Sequence, residues 1–479
     1  MSTPYDMIII GAGLSGIGAA CRYKMAFPDK VFAILEMRSD LGGTWDLFQY
    51  PGVRSDSDML TLGYDFNPWD GDEFLASGKN IKDYIAKTAT DFDIKKHIQF
   101  STKVVSANFD TNDNFWTLTI QRGADVSQVK TRFILSCAGY YNYEQGHSPV
   151  FKNQGCFKGD IIHPQFWPEG YDHSNKNIVV VGSGATAVTL VPELAKTACH
   201  VTMLQRSPSY VLSLPSIDYV GNVVRFILPK KWAHRLNRRK NIELSRFMYQ
   251  QAKSNPSRVK RTLRRKIQKV LGKDYPVDVH FNPRYNPWEQ RLCIVPDNDL
   301  FSAIKEGKAS IITDEVDHFT NMGVVLKSGQ GLGADLIVTA TGLNVVFAGN
   351  IAVTVEGHKV DLKNTFGYKG MMFSDIPNFI SVFGYTNASW TLRADLISRY
   401  MVRLLDYMEI ESLECVTPSA PEHMAARPWV DFEAGYLKRV MDDLPKQGDH
   451  APWLNPQDYK YDLKSLLEAP IDDEALTFV

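Results

Sequence analysis

Two strand–glycine turn–helix units in one chain, a late strand closing on Ala340-Thr341-Gly342, and a charge-rich helical stretch predict an α/β fold. The expected architecture is two Rossmann-like dinucleotide-binding units with a helical insertion, because both repeats carry the spacing such units need. A chain of 479 residues is long enough for several cores. Its 44% apolar and 22% charged residues are those of an ordinary globular protein.

The first unit opens with Met7-Ile-Ile-Ile10, a short apolar run suited to a strand buried on both faces. Gly11-Ala-Gly13-Leu-Ser-Gly16 follows and leads into the small residues Ile17-Gly-Ala-Ala20. The glycines allow a tight turn, backbone approach to a pyrophosphate and close packing of helix on strand. The helix N-terminus then offers free N–H groups and a positive dipole end to phosphate. Val31-Phe-Ala-Ile-Leu35 reads as the second strand and closes on Glu36. A carboxylate about 20 residues past the last glycine is placed to grip ribose hydroxyls. Phe133-Ile-Leu-Ser-Cys-Ala-Gly139 reads as a further strand ending at a glycine, where backbone can approach a ligand.

The second unit repeats the pattern in Asn177-Ile-Val-Val-Val-Gly182-Ser-Gly184-Ala-Thr186-Ala187. Its next strand, His200-Val-Thr-Met-Leu204, runs into Gln205-Arg206-Ser207 where NAD would call for an acid. Arg206 can bind a 2′-phosphate through charge-assisted hydrogen bonds and Ser207 can add a hydroxyl, which favours NADPH. Ala334-Asp-Leu-Ile-Val-Thr-Ala-Thr341-Gly342 then reads as the strand that leads back to the first unit.

Between the two turns stands Phe157-Lys-Gly159-Asp-Ile-Ile-His163-Pro-Gln-Phe-Trp167-Pro168. Earlier comes Gly42-Gly43-Thr44-Trp45-Asp-Leu-Phe-Gln-Tyr50-Pro51-Gly52-Val-Arg-Ser-Asp56. These runs resemble the two fingerprints of the type I Baeyer–Villiger monooxygenases, flavoenzymes that turn ketones into esters or lactones and oxidise sulfur. The likeness spans essentially the whole chain and is strongest to the ethionamide-activating subgroup of class B flavoprotein monooxygenases. Tyr140-Tyr-Asn-Tyr143, Arg54–Met59, Tyr285–Cys293, Tyr368–Met372 and Leu444–Gly448 carry that closer resemblance.

The resemblance implies FAD in the first unit, with Gly43, Thr44 and Trp45 lining the flavin and Asn387 and Trp390 in a third flavin-contacting segment. It implies residues 1–150 as the first part of the FAD domain and 342–479 as the second part with a C-terminal tail. The NADPH domain would comprise 151–213 and 288–341, with 214–287 as the insert and Thr341 and Gly342 at the crossing. Arg291 matches the active-site arginine of the family, and Asp56 would orient it. An arginine suits that task because it stabilises developing negative charge without surrendering its proton. Many relatives place a lysine before this arginine; here Gln290 stands there, so NADPH selectivity rests more heavily on Arg206. Phe157, Gly159, His163 and Trp167 would coordinate domain movement, not proton transfer.

The implied chemistry is NADPH- and O2-dependent oxygen insertion beside a ketone carbonyl, with oxidation of sulfides and thioamides, through a C4a-peroxyflavin. The alternatives are an electrophilic S/N-oxygenating flavin monooxygenase and terminal oxidation of long-chain alkyl substrates. The former usually carries an aromatic other than tryptophan at the Trp167 position. The expected substrate is a small lipophilic ketone or sulfide.

In the insert, 17 lysines and arginines between Arg225 and Lys273 face a single acid, Glu243. Val259, Leu263, Ile267, Val270 and Leu271 recur at helical spacing among Arg258, Lys260, Arg261, Arg264, Arg265 and Lys266. The plain expectation is a solvated basic face over a core stripe; the sharper one is peripheral contact with anionic lipid. A net charge of -1 and the lack of a recognition motif argue against nucleic acid. Cys21, Cys137, Cys156, Cys199, Cys293 and Cys415 are scattered without a C-x-x-C pair, which argues against a metal site and a redox dithiol. The early first strand and the lack of a bilayer-length apolar run lead to the expectation of a cytoplasmic chain, with peripheral membrane association through the insert as the one addition.

Overall fold

The computed structural model describes residues 3–479. Tyr5–Ile10 lies inside a nine-stranded sheet, parallel to Phe32–Leu35 on one side and to Asp125–Ser136 on the other. Met7 and Ile9 bury in one apolar cluster while Ile8 and Ile10 bury in another. That alternation is why four apolar residues in a row make a strand covered on both faces. Lys103–Asp110, Phe115–Arg122 and Asp125–Ser136 add antiparallel neighbours, and Phe379–Ser381 joins as a parallel strand from far along the chain. Helix α1, Leu14–Ala26, packs beneath this sheet against the long late helix that starts at Trp390.

A second sheet is parallel throughout, in the order Ala309–Thr313, His200–Gln205, Asn177–Val181, Leu336–Val338, Asp160–Ile162. Here too alternate residues part company: Ile178 and Val180 face one cluster, Val179 and Val181 the other. Helix α2, Ala185–Leu194, covers one face with Val188, Leu190, Val191 and Leu194 buried. The chain therefore leaves the first sheet after Ser136, enters the second at Asp160 and leaves it after Val338. The two crossings pair with each other: Leu343–Val345 runs antiparallel to Tyr141–Gly146.

The helical insert is bracketed by Val211–Leu214 and Cys293–Pro296, which pair in parallel. It holds α3 (Tyr219–Ile227), α4 (Lys230–Ser254) and α5 (Pro256–Leu271), followed by the short turn Val277–His280. Proline at the first position of α5 needs no N–H partner there, which lets the helix begin at Pro256. The apolar stripe of α5 belongs to the core: Leu263 and Ile267 are buried, and Val259, Val270 and Leu271 pack against buried clusters. The plain expectation for that helix is the one the packing supports. Among the described residues, no helix is long and apolar enough to cross a membrane and no group of His, Cys, Asp or Glu could hold a metal ion.

Candidate active site

A cavity of about 1000 Å³ runs between the two sheets and touches both glycine turns. At the first turn the glycines are forced by space. Gly11 has φ +102°, and a Cβ on it would lie 2.6 Å from the Cys137 carbonyl oxygen. A Cβ on Gly16 would lie 1.8 Å from the Gly11 carbonyl oxygen, so this glycine serves helix–strand packing and not the cavity wall. Gly13 meets the Gly42–Gly43 turn directly, and Gly42 N donates to Ala12 O at 3.0 Å. Thr44 and Trp45 open a one-turn helix and line the same cavity. Glu36 is buried at the end of its strand, accepting from Ala12 N at 2.7 Å and from Arg38 N at 2.8 Å. Burial raises its pKa, and those two backbone N–H groups act in the opposite sense.

The late helix α6, Trp390–Ile410, brings Trp390 to the first turn, where its indole N–H donates to Ser15 Oγ at 2.8 Å. Tyr140 stacks on Trp390 with centroids 5.2 Å apart. Asn387, expected in the flavin-contacting segment, does not line the cavity: its amide donates to Gln457 O at 2.9 Å, and its neighbours Thr386 and Ala388 form the wall instead.

At the second turn Gly182 has φ +147°, and a Cβ there would lie 2.2 Å from Ala340 O. Gly184 has nothing within 4 Å of its virtual Cβ, so its backbone is bare to the cavity. Thr186 lines the cavity, whereas Ala187 is fully buried under the helix and serves packing. Arg206 and Ser207 are exposed at the far end. Asp314 and Glu315 share that end, but Glu315 is paired with Lys327 and Asp314 accepts from Ser328 N. Arg206 has no ion-pair partner among the described residues.

Arg291 and Asp56 come from positions 235 residues apart, and Arg291 Nε donates to Asp56 Oδ2 at 3.1 Å. The carboxylate is mostly enclosed, with 11% of its side chain accessible, while Arg291 keeps 43% open to the cavity. Tyr140, Tyr141 and Tyr436 surround the guanidinium, and the Tyr140 and Tyr141 hydroxyls lie 2.9 Å apart. Desolvation opposes the charge on Arg291, but the Asp56 carboxylate acts in the opposite sense and holds its pKa above the ordinary arginine value. Burial lifts Tyr141 to about 12 and Tyr140 and Tyr436 higher still, so all three are neutral at physiological pH. Tyr436 sits on a late one-turn helix outside every motif, and sequence reasoning missed it. Tyr140 and Tyr141 were visible in the sequence only as part of a likeness.

His163 does not reach the cavity. Its Nε2 lies 3.2 Å from Gly342 O, and its Nδ1 accepts from Gln165 N at 3.2 Å. An accepting Nδ1 leaves the proton on Nε2, donating to Gly342. Burial lowers its pKa from 6.5, which favours this neutral form. Thr341 Oγ1 donates to His147 O, and His147 N donates to Gly342 O at 3.2 Å. His163, just past the first strand of the second sheet, thus bonds to the returning crossing and packs its ring against Gly146 of the outward one. Gly159 leaves room for the Asp335 carbonyl, which a Cβ would meet at 2.4 Å, and the half-buried Phe157 and Trp167 pack against the apolar clusters on opposite faces of the second sheet.

The flavin-binding monooxygenase-like family model matches residues 6–409. The FAD-containing monooxygenase EthA of Mycolicibacterium smegmatis is 47% identical over 480 residues, covering 100% of this chain and 98% of that protein. The probable FAD-binding monooxygenase AlmA of Acinetobacter baylyi is 45% identical over 484 residues, covering 100% and 97%. The fold matches that of an oxidized steroid monooxygenase bound to NADP, with TM-score 0.79 at 20% identity over 100% of both chains. It also matches ε-caprolactone-bound cyclohexanone monooxygenase, with TM-score 0.74 at 18% identity over 88% and 91%. With a family model covering most of its length and relatives this similar from end to end, the chain belongs to the flavin-binding monooxygenase-like family.

Proposed function

We propose that this protein is an FAD-containing, NADPH-dependent Baeyer–Villiger monooxygenase that inserts one oxygen beside the carbonyl of a small lipophilic ketone and oxidises sulfides and thioamides. The observation that carries this reading is the Asp56-held guanidinium of Arg291, facing a cavity that both dinucleotide turns share. The residues present fit both cofactors. Gly13 and Gly43 leave the first turn bare of side chains, Glu36 is fixed by two backbone N–H groups where ribose hydroxyls are gripped, and Thr44, Trp45 and Trp390 wall the flavin end. Gly184, Thr186, Arg206 and Ser207 would hold NADPH, with Thr341 and Gly342 at the crossing. When bound, FAD supplies the redox chemistry, taking hydride from NADPH and delivering activated oxygen to the substrate.

The chain's own contribution is positional and electrostatic. Arg291 keeps a permanent positive charge where negative charge gathers on the reacting oxygens, and a preorganised donor of this kind needs no reorganisation at the moment of reaction. Asp56 sets its direction through a charge-assisted bond. The neutral Tyr140–Tyr141–Tyr436 cluster encloses the guanidinium and offers hydroxyl donors without competing charge. His163 holds the two crossings together and takes no part in proton transfer. Lipophilic substrates go with peripheral membrane contact through the basic insert, 214–287.

Arg291→Ala tests the reading. NADPH oxidation and flavin content are expected to persist, while ester formation falls by about 10²–10³, the usual cost of one preorganised charge donor. Full ketone conversion by the variant would remove Arg291 from the reaction. Sulfide oxidation without any ketone conversion by the wild-type enzyme would instead identify an electrophilic S/N-oxygenating enzyme, and oxidation of chain ends alone an alkyl hydroxylase.

A further inference from the structure

Helix α3 does not turn its apolar stripe to the core, as surface helices normally do. Tyr219, Val220, Val223, Phe226 and Ile227 are each more than half exposed, and Phe226 keeps 92% of its surface. Their spacing is that of a single helical face. Gly221 is the one buried residue of this helix. The ridge continues onto α4 through Trp232 and Leu236, with Trp232 65% exposed. Scattered exposed apolar residues are ordinary, but a contiguous aromatic and aliphatic ridge marks a surface that something covers.

Cations frame the ridge. Lys231, Arg235 and Arg239 are exposed and make no ion pair among the described residues. Lys230 meets Asp70 at 2.7 Å, and the Asp218 carboxylate is answered by Lys240 at 2.7 Å, so the nearby acids do not reverse the local sign. The guanidinium of Arg235 lies 5.9 Å from the Trp232 ring. The opposite face of α4 is fastened down. Arg238 Nη1 donates to Leu60 O at 2.7 Å and Gly63 O at 2.8 Å, and Asn241 Nδ2 donates to Asp58 Oδ1 at 2.9 Å. The ridge therefore stands on a helix anchored to the first unit.

We propose that the outer face of α3 and the first turns of α4 dock on an anionic lipid bilayer. Phe226, Ile227 and Trp232 enter the boundary between headgroups and acyl chains, and Lys231, Arg235 and Arg239 meet lipid phosphates. Apolar side chains flanked by unneutralised cations are the composition of an interfacial helix. A second copy of the chain would set these cations against each other, which disfavours self-association through the same face. Nucleic acid would use the charge but leave the ridge uncovered. This places lipid contact away from α5, whose stripe is spent in the core.

The test uses the holoenzyme with vesicles of equal parts phosphatidylglycerol and phosphatidylcholine, and with phosphatidylcholine alone, read by co-sedimentation. Binding to the anionic vesicles is expected, weakened by high salt and by removal of phosphatidylglycerol. The double variants F226E/I227E and K231E/R235E are each expected to weaken it at least about tenfold. Bound flavin, melting temperature and NADPH oxidation in lipid-free buffer should be unchanged, since every altered side chain is exposed. The proposal fails if anionic vesicles pull down no enzyme, or if both variants bind like the wild type. It also fails if F226E/I227E instead abolishes a lipid-free dimer, which would assign the ridge to a second copy. The readout involves no turnover, so its outcome is independent of the oxygenation chemistry.

Discussion

Replacing Asp56 with asparagine separates the charge of this residue from its shape. The variant keeps an acceptor oxygen opposite Arg291 Nε at the 3.1 Å position, so the guanidinium loses a negative neighbour and not its cavity. Unit charges about 4 Å apart interact by about 1 kcal/mol in bulk water and about 4 kcal/mol at an effective dielectric of 20. Asp56 is enclosed, but Arg291 has 43% of its side chain accessible, which discounts the upper figure for screening. A loss of about 1–2 kcal/mol in the positioning of Arg291 remains, or about five- to thirtyfold in the rate of the step that needs it. NADPH consumption and ester formation are measured side by side, with hydrogen peroxide as the unproductive product. NADPH oxidation should stay within about twofold while the ester yield per NADPH falls about tenfold and peroxide rises to match. If the yield per NADPH is unchanged, Asp56 does not act through Arg291 and the electrostatic argument is wrong.

The exposed, unpaired Arg206 predicts that Arg206→Ala raises KM for NADPH about tenfold or more and leaves NADH nearly unaffected, measured by steady-state kinetics with each cofactor; equal effects would remove the 2′-phosphate assignment. His163→Ala deletes two hydrogen bonds at the crossings, each contributing on the order of 1 kcal/mol, so the melting temperature should fall by a few degrees. The same variant should slow the coupling of reduction to oxygenation in stopped-flow traces while keeping its FAD, whereas loss of the flavin would point to a direct binding role. Its pH dependence has a definite sign. Burial lowers the folded pKa of His163 below 6.5, so the folded state binds fewer protons than the unfolded one and stability falls as pH drops through 6.5. Melting temperatures followed from neutral pH down to about 5 should therefore slope less steeply in His163→Ala than in the wild type. An unchanged slope would mean that His163 is not held neutral.

Both nucleotide turns were legible because their chemistry is local. A glycine whose Cβ would lie 1.8 Å from the carbonyl five residues earlier, as at Gly16, leaves its mark on consecutive positions. Glu36 was found by its distance from Gly16, and the strands by four apolar residues in a row. Ala187 was read from the same pattern but packs helix on strand, because the motif reports closeness of backbones and not which atom faces the ligand. Arg291 and Asp56 were paired only through resemblance, since 235 residues separate them and no periodicity links them.

Sequence by itself determined the α/β class, the two turns and the amphipathic character of α5, all consequences of residue spacing along one element. Only the tertiary structure decided that Tyr436 closes around Arg291, that His163 bonds to Gly342 across the two crossings, and that the uncovered apolar face belongs to α3. An amphipathic pattern states that one side of a helix is apolar. Whether that side finds a partner depends on which surfaces the rest of the chain brings up to it. For α5 the second sheet's core supplies one, and for α3 nothing in the described chain does.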